Sequence, residues 1–230
     1  MKYFTVALLA ALAAASPVAV PEAVLEVQIG AFEARALSST STELEDGSAS
    51  SCPKAVLIFA RGSTEGGNLG TLGVPLGNAL ESKYGAANVW VQGVGGPYAA
   101  TLEGNTAPRG APETSIAEMV RLFKLANSKC PSSKVVAGGY SQGAALAAAA
   151  ISDLTATVRN QVVGTVLFGY TKNQQNNGAI PNYPQDRLKV FCAAGDLVCE
   201  GTLIVLAPHL SYGPEAANEA PAFLISKIGS

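Results

Sequence analysis

One histidine, His209, serves all 230 residues, and four cysteines stand without a C-x-x-C pair. A zinc site draws on sulfur and imidazole ligands at close spacings, so these counts argue against a metal centre. Charged residues make up only 14% of the chain, and 15 basic side chains face 17 acidic ones without a basic run. Nucleic acid is therefore not an expected partner. The glycine-rich runs Gly66-Gly67-Asn68-Leu69-Gly70 and Gly93-Val94-Gly95-Gly96-Pro97 fit neither G-x-G-x-x-G nor a P-loop, and read as turns. No N-x-S/T sequon and no internal repeat occurs. No stretch supplies the roughly 20 apolar residues that a membrane span needs.

What is present begins with Met1-Lys2 and an apolar stretch that ends in Ala13-Ala14-Ala15-Ser16. A charged start, an apolar run of about a dozen residues and small residues at its end describe a secretory signal peptide over residues 1–16. Residues 17–51, with Pro17, Pro21 and a Ser/Thr cluster at 38–42, read as an unordered lead-in or propeptide. Residues 52–230 then form a single domain, long enough for a sizeable core. In a secreted chain four cysteines suggest two disulfides, with three pairings open. Cys192 and Cys199 are spaced for a local staple, and Cys52 and Cys130 would then tie the start of the domain to a later segment.

Five apolar runs recur, at 55–59, 89–91, 135–137, 163–168 and 189–191. They are continuously apolar instead of alternating, as strands buried on both faces of a parallel sheet are. Helix-like segments fall over 74–83, 114–128, 142–154 and 220–228. In the second of these Ile116, Met119, Val120, Phe123 and Ala126 recur at three- and four-residue steps. Strand–helix alternation predicts a three-layer α/β/α sandwich around a five-stranded, mainly parallel sheet, with right-handed crossovers.

Gly139-Tyr140-Ser141-Gln142-Gly143 fits G-x-S-x-G and stands between an apolar strand and an Ala-rich helix. That is the sequence form of a nucleophile elbow. A serine alcohol needs a base, and His209 is the one imidazole available. Its place after the last strand suits the order Ser, acid, His. Of the four aspartates, Asp46 precedes the domain, and Asp153 lies roughly 18 Å along the helix from Ser141 at 1.5 Å per residue. Asp186 precedes its strand, whereas Asp196 follows one, at the carboxyl end where sites in such sheets form. Asp196 is the favoured acid, with Glu200 as the alternative. The backbone N–H of Gln142 is one expected oxyanion donor. Ser63, in Arg61-Gly62-Ser63-Thr64-Glu65, is the second candidate, although a Gly/Ser turn without a role fits the same pattern. Leu203-Ile204-Val205-Leu206 reads either as core or as an apolar rim beside the base, with Leu102 opposite it. Nothing between the strands is long and amphipathic enough for a lid, so an open site is expected.

Taken together, Arg61-Gly62-Ser63-Thr64-Glu65, Gln92-Gly93-Val94-Gly95-Gly96, the segment from Gly138 to Ala144, the segment from Cys192 to Cys199 and Pro208-His209 resemble the secreted fungal cutinases, in the same order along the chain. The resemblance spans about 52–228. It implies a small lidless α/β-hydrolase that cleaves ester bonds of cutin, the plant cuticle polyester, and of short-chain soluble esters. Matched motif by motif, it implies nucleophile Ser141, base His209, acid Asp196 and oxyanion donors Ser63 and Gln142. It further implies Asn105 as support for the oxyanion serine and Leu102 and Val205 as rim positions. Disulfides Cys52–Cys130 and Cys192–Cys199 are implied too, with no cofactor, no metal and a monomeric enzyme. Two other readings share the same residues: a carbohydrate esterase that deacetylates plant-wall xylan, and a non-catalytic protein that binds plant surfaces or is sensed by the host.

Overall fold

The computed structural model describes residues 37–230. The leader read over 1–16 and the lead-in as far as residue 36 lie outside the described residues. Five strands make one sheet: β1 (Ala55–Ala60), β2 (Val89–Gly93), β3 (Lys134–Tyr140), β4 (Val162–Phe168) and β5 (Leu188–Phe191). Their order is β2-β1-β3-β4-β5, and every neighbouring pair is parallel. The helices are α1 (Glu43–Asp46), α2 (Gly70–Tyr84), α3 (Glu113–Lys129), α4 (Gln142–Asp153), α5 (Ala156–Gln161), α6 (Gly213–Ala217) and α7 (Glu219–Ile228).

Each strand feeds two cores because successive side chains point to opposite faces. Val56, Ile58 and Ala60 of β1 join a core with Ile116, Met119, Leu122 and Phe123 of α3 and the buried alanines of α4. Ala55, Leu57 and Phe59 join another with Leu72, Leu76 and Leu80 of α2 and Ala220 and Leu224 of α7. All six residues of β1 are fully buried, which is why the run carries no polar alternation. Burying a Leu, Ile or Phe side chain contributes about 1.5–3 kcal/mol, so the two cores dominate stability. In α4 small alanines bring the helix close to the sheet. At Gly138 of β3 an added Cβ would stand 2.8 Å from the Phe59 ring.

Two expectations are corrected. Helix α2 begins at Gly70, four residues earlier than its hydrophobic pattern suggested. Its first turn is anchored by the Glu65 carboxylate, which accepts from Thr71 N–H at 2.9 Å and from the Thr71 hydroxyl. Residues 37–51, read as unordered, are packed onto the sheet edge. Leu37 and Leu44 are buried. Ser41 C=O accepts from Gly93 N–H, the Glu43 carboxylate accepts from Val91 N–H at 2.7 Å, and Thr42 bridges Gln92 in antiparallel sense. A Ser/Thr-rich stretch gives no hydrophobic period to announce this, because its order comes from long-range backbone pairing.

Disulfides Cys52–Cys130 and Cys192–Cys199 are both formed. They span 78 and 7 residues. By loop-closure entropy the first contributes about 4.5 kcal/mol and the second about 2.4 kcal/mol. The long one clamps the start of β1 to the end of α3, whereas the short one shapes a single loop after β5.

Candidate active site

Ser141 stands at the turn from β3 into α4 with φ 55° and ψ −118°. Few side-chain-bearing residues tolerate that backbone, and such a residue costs about 1–3 kcal/mol. The surroundings hold it there. Ser141 N–H donates to Phe168 C=O at 2.9 Å, and Ala144 N–H donates back to Ser141 C=O at 3.0 Å. Two glycines make the turn sterically feasible. A Cβ at Gly139 would lie 2.2 Å from Gly143 O, and one at Gly143 would lie 2.1 Å from Ala60 O. The pattern G-x-S-x-G is thus a record of two backbone contacts too close for any side chain.

His209 sits on the short 3-10 turn Ala207–Leu210, and its Nε2 is 3.0 Å from Ser141 Oγ. Its Nδ1 is 2.8 Å from Asp196 Oδ2. A carboxylate only accepts, so Nδ1 carries the hydrogen and Nε2 is left to accept from the serine hydroxyl. Asp196 and His209 are 1% and 2% exposed, while Ser141 is partly open to solvent. The Asp196 loop is closed by the Cys192–Cys199 bridge, and Val198 N–H donates to Asp196 Oδ1 at 3.0 Å. Glu200, the alternative acid, is exposed.

The imidazole is boxed in by residues that sequence reasoning missed. Tyr140 stacks on it at 5.2 Å between ring centroids, and its hydroxyl donates to His209 C=O at 2.8 Å. Tyr212 presents its ring edge at 6.3 Å and donates its hydroxyl to Asp196 Oδ2. Gly169, with φ 53°, gives the ring its room, because a Cβ there would lie 2.5 Å from His209 Cε1. Burial first, then the nearby Glu65 and Asp196 charges, push the Tyr140 phenol above its ordinary range. Burial and the hydrogen bond to Asp196 do the same to Tyr212. The one sequence signal for Tyr140 was its place inside G-x-S-x-G. Tyr212 and Gly169 carried none.

Ser63 faces Ser141 across the cleft. Its Oγ accepts from Asn105 Nδ2 at 2.9 Å, which leaves the Ser63 hydroxyl hydrogen free to donate elsewhere. Asn105 also donates to Leu102 C=O at 3.0 Å. The loop bearing Ser63 is tied down on both sides: Gly62 N–H donates to Glu65 Oε2 at 2.7 Å, and Thr64 N–H to Ala100 C=O at 2.8 Å. Gln142 N–H, at the start of α4, has no helical carbonyl one turn back to receive it. The buried Gln142 side chain donates to Thr101 C=O at 2.6 Å and so fastens the loop of Leu102 and Asn105 to the first turn of α4.

These elements enclose a cleft of about 600 Å³ lined by Ser63, Leu102, Asn105, Ser141, Val205 and His209 among others. Leu102, Leu203, Ile204, Val205, Leu206 and Leu210 are the large hydrophobic side chains exposed to solvent among the described residues. The 203–206 run is therefore exposed, not core, and Leu203 and Val205 of it line the cleft. The arrangement can deprotonate an alcohol, hold a developing oxyanion between two loops and seat an apolar chain. Among the described residues no cluster of His, Cys, Asp or Glu is arranged to hold a metal ion, and no helix is long and apolar enough to cross a membrane.

Residues 51–228 match the family model described as Cutinase. The chain is 56% identical to Cutinase 1 of Fusarium vanettenii over 99% of this chain and 97% of that protein. It is 55% identical to a cutinase of Didymella rabiei over the full length of both. Among solved structures, a Trichoderma reesei cutinase in complex with a C11Y4 phosphonate inhibitor is similar, with a TM-score of 0.72, 29% identity, and coverage of 84% of this chain and 81% of that one. The fold is that of the α/β-hydrolases.

Proposed function

The chain belongs to the cutinase family of carboxylic ester hydrolases, and on that premise we propose that it is a secreted, monomeric serine esterase acting on cutin and on short soluble esters. The observation that carries this reading is the hydrogen-bonded line Ser141–His209–Asp196, at 3.0 and 2.8 Å, opening onto an apolar rim. His209 Nε2 takes the Ser141 proton as Oγ attacks the ester carbonyl, and Asp196 steadies the imidazolium so formed. The oxyanion is received by Gln142 N–H and by Ser63, through its hydroxyl and its N–H. The positive end of α4 points at the same place. His209 then passes its proton to the leaving alcohol. Water, deprotonated by His209, attacks the acyl-enzyme, and Ser141 regains its proton as the acid departs. No cofactor enters. Export is supported by the leader over 1–16, and two disulfides suit an oxidising compartment.

The test is release of hydroxy fatty acids from purified cutin, with Ser141→Ala as the control. Release is expected from the parent protein and not from the folded variant. Release that survives in Ser141→Ala overturns the nucleophile assignment. Activity confined to acetate esters, without release from cutin, overturns the substrate and moves it to acetylated polysaccharide.

A further inference from the structure

We propose that Tyr212 is a positioning residue of the hydrolytic site, acting through Asp196 to set how strongly the carboxylate holds the His209 imidazolium. The inference rests on the Ser141–His209–Asp196 reading above and adds to it a phenol on the same carboxylate oxygen. Asp196 Oδ2 accepts from both His209 Nδ1 and the Tyr212 hydroxyl. The direction of the phenol is fixed, because Ala193 N–H donates to the Tyr212 oxygen at 3.0 Å and leaves the hydroxyl hydrogen aimed at Asp196. The ring has little freedom. It is 2% exposed and packs against Tyr140 and Phe168, each with centroids 6.1 Å away. Tyr212 does not line the cleft, and its hydrogen bond to the site is the one to Asp196, beside a ring-edge contact with His209.

The chemistry follows from the geometry. A carboxylate that shares one oxygen between two donors is less basic than one that gives that oxygen wholly to the imidazole. The other titratable groups near the pair are Tyr140, stacked on the imidazole from the end of β3, and Glu65, whose charge reaches Tyr140. None of the hydrogen bonds to Asp196 among the described residues comes from a lysine or arginine. Beside the Val198 N–H on Oδ1, the phenol is thus the side chain that tempers the carboxylate, and it does so on the oxygen that holds the imidazole.

Because the chain has a single histidine, its imidazole resonances belong to His209 alone. The experiment is an NMR titration of the ¹⁵N-labelled imidazole in the full chain and in Tyr212→Phe, alongside kcat/KM against pH on a short soluble ester. The His209 midpoint is expected to rise by about half a unit to one unit in Tyr212→Phe, as a charge-assisted hydrogen bond is lost, and the acid limb of kcat/KM should move with it. KM should stay unchanged. A folded variant with an unmoved midpoint overturns the proposal, even where its melting temperature has dropped. If Tyr212→Phe does not fold, 3-fluorotyrosine placed at 212 keeps the ring and makes a stronger donor. The midpoint should then fall, and no movement overturns the proposal. The titration needs no turnover, whereas Ser141→Ala tests the esterase reading, so the two fail separately.

Discussion

His209 on the floor of the cleft and Asp196 buried behind it are 2% and 1% exposed, whereas Leu102 and Leu210 on its rim are 68% and 70% exposed. The two regions invert the ordinary rule that polar groups face water and apolar groups avoid it. On the floor the inversion is sustained by pairing. Asp196 receives three donors, and His209 is bonded at both ring nitrogens. On the rim nothing compensates. Exposed apolar area costs about 25 cal/mol per Å², and that cost is recovered only when an apolar partner covers the surface. On the proposed reading the floor is complete before substrate arrives, and the rim is completed by substrate. Variants of the floor should therefore lower turnover for every ester, and variants of the rim should discriminate among esters.

The sharpest break in that comparison is Ser63→Ala. On the proposed reading it removes one oxyanion donor and leaves the fold alone, and a loss of about 100- to 1000-fold in kcat is expected for short and long esters alike. Kinetics on acetate, butyrate and longer esters check this. A loss confined to one chain length would place Ser63 with the rim. Next comes Leu203→Ser combined with Val205→Ser. Here a loss of about 10-fold in kcat/KM is expected on long-chain esters and little change on acetate, since a fully buried aliphatic side chain contributes about 1.5–3 kcal/mol and these two are only partly covered. Equal losses across the series would erase the distinction between rim and floor.

The smallest expected effect concerns stability. Tyr140 at the cleft and Tyr212 buried beneath it have phenols raised above the ordinary range by burial, and Tyr170 and Tyr183 in the core are pushed up to about 12. Below the unfolded phenol value, about 10, both states are neutral and the contribution is constant. Above it the unfolded chain loses protons that the folded chain keeps, so stability falls as pH rises through the folded values. The rim has no titratable side chain to oppose this. Thermal unfolding between pH 8 and 12 should show a melting temperature that is level to about pH 10 and then declines. A level curve to pH 12 would mean that the phenols are not held neutral.

Much of the floor was legible in the sequence for a physical reason. An imidazole was needed and the chain offers one. An acid was needed at a strand's carboxyl end, and one of four aspartates follows a strand. The strands were legible because both faces of β1, β3 and β4 are buried. Tyr212 was not legible, since nothing in Ser211-Tyr212-Gly213 states that a phenol turns back to a carboxylate sixteen residues earlier. Gly169 was silent for the same reason: its need is a ring from another segment. The rim run 203–206 was ambiguous because composition cannot tell an apolar stretch that packs from one that waits. Residues 37–51 looked unordered because their partners, Gln92, Gly93 and Val91, lie across the sheet edge.

That last segment has a consequence for the molecule among its own kind. Strand β2 is an edge of the sheet, and a bare edge offers unpaired amides and carbonyls on which a strand of another copy can grow. Ser41, Thr42 and Glu43 occupy that side of β2, and the opposite edge, β5, is only four residues long. A stretch without catalytic chemistry thus removes the template for edge-to-edge aggregation at β2, in a protein that already carries an exposed apolar rim.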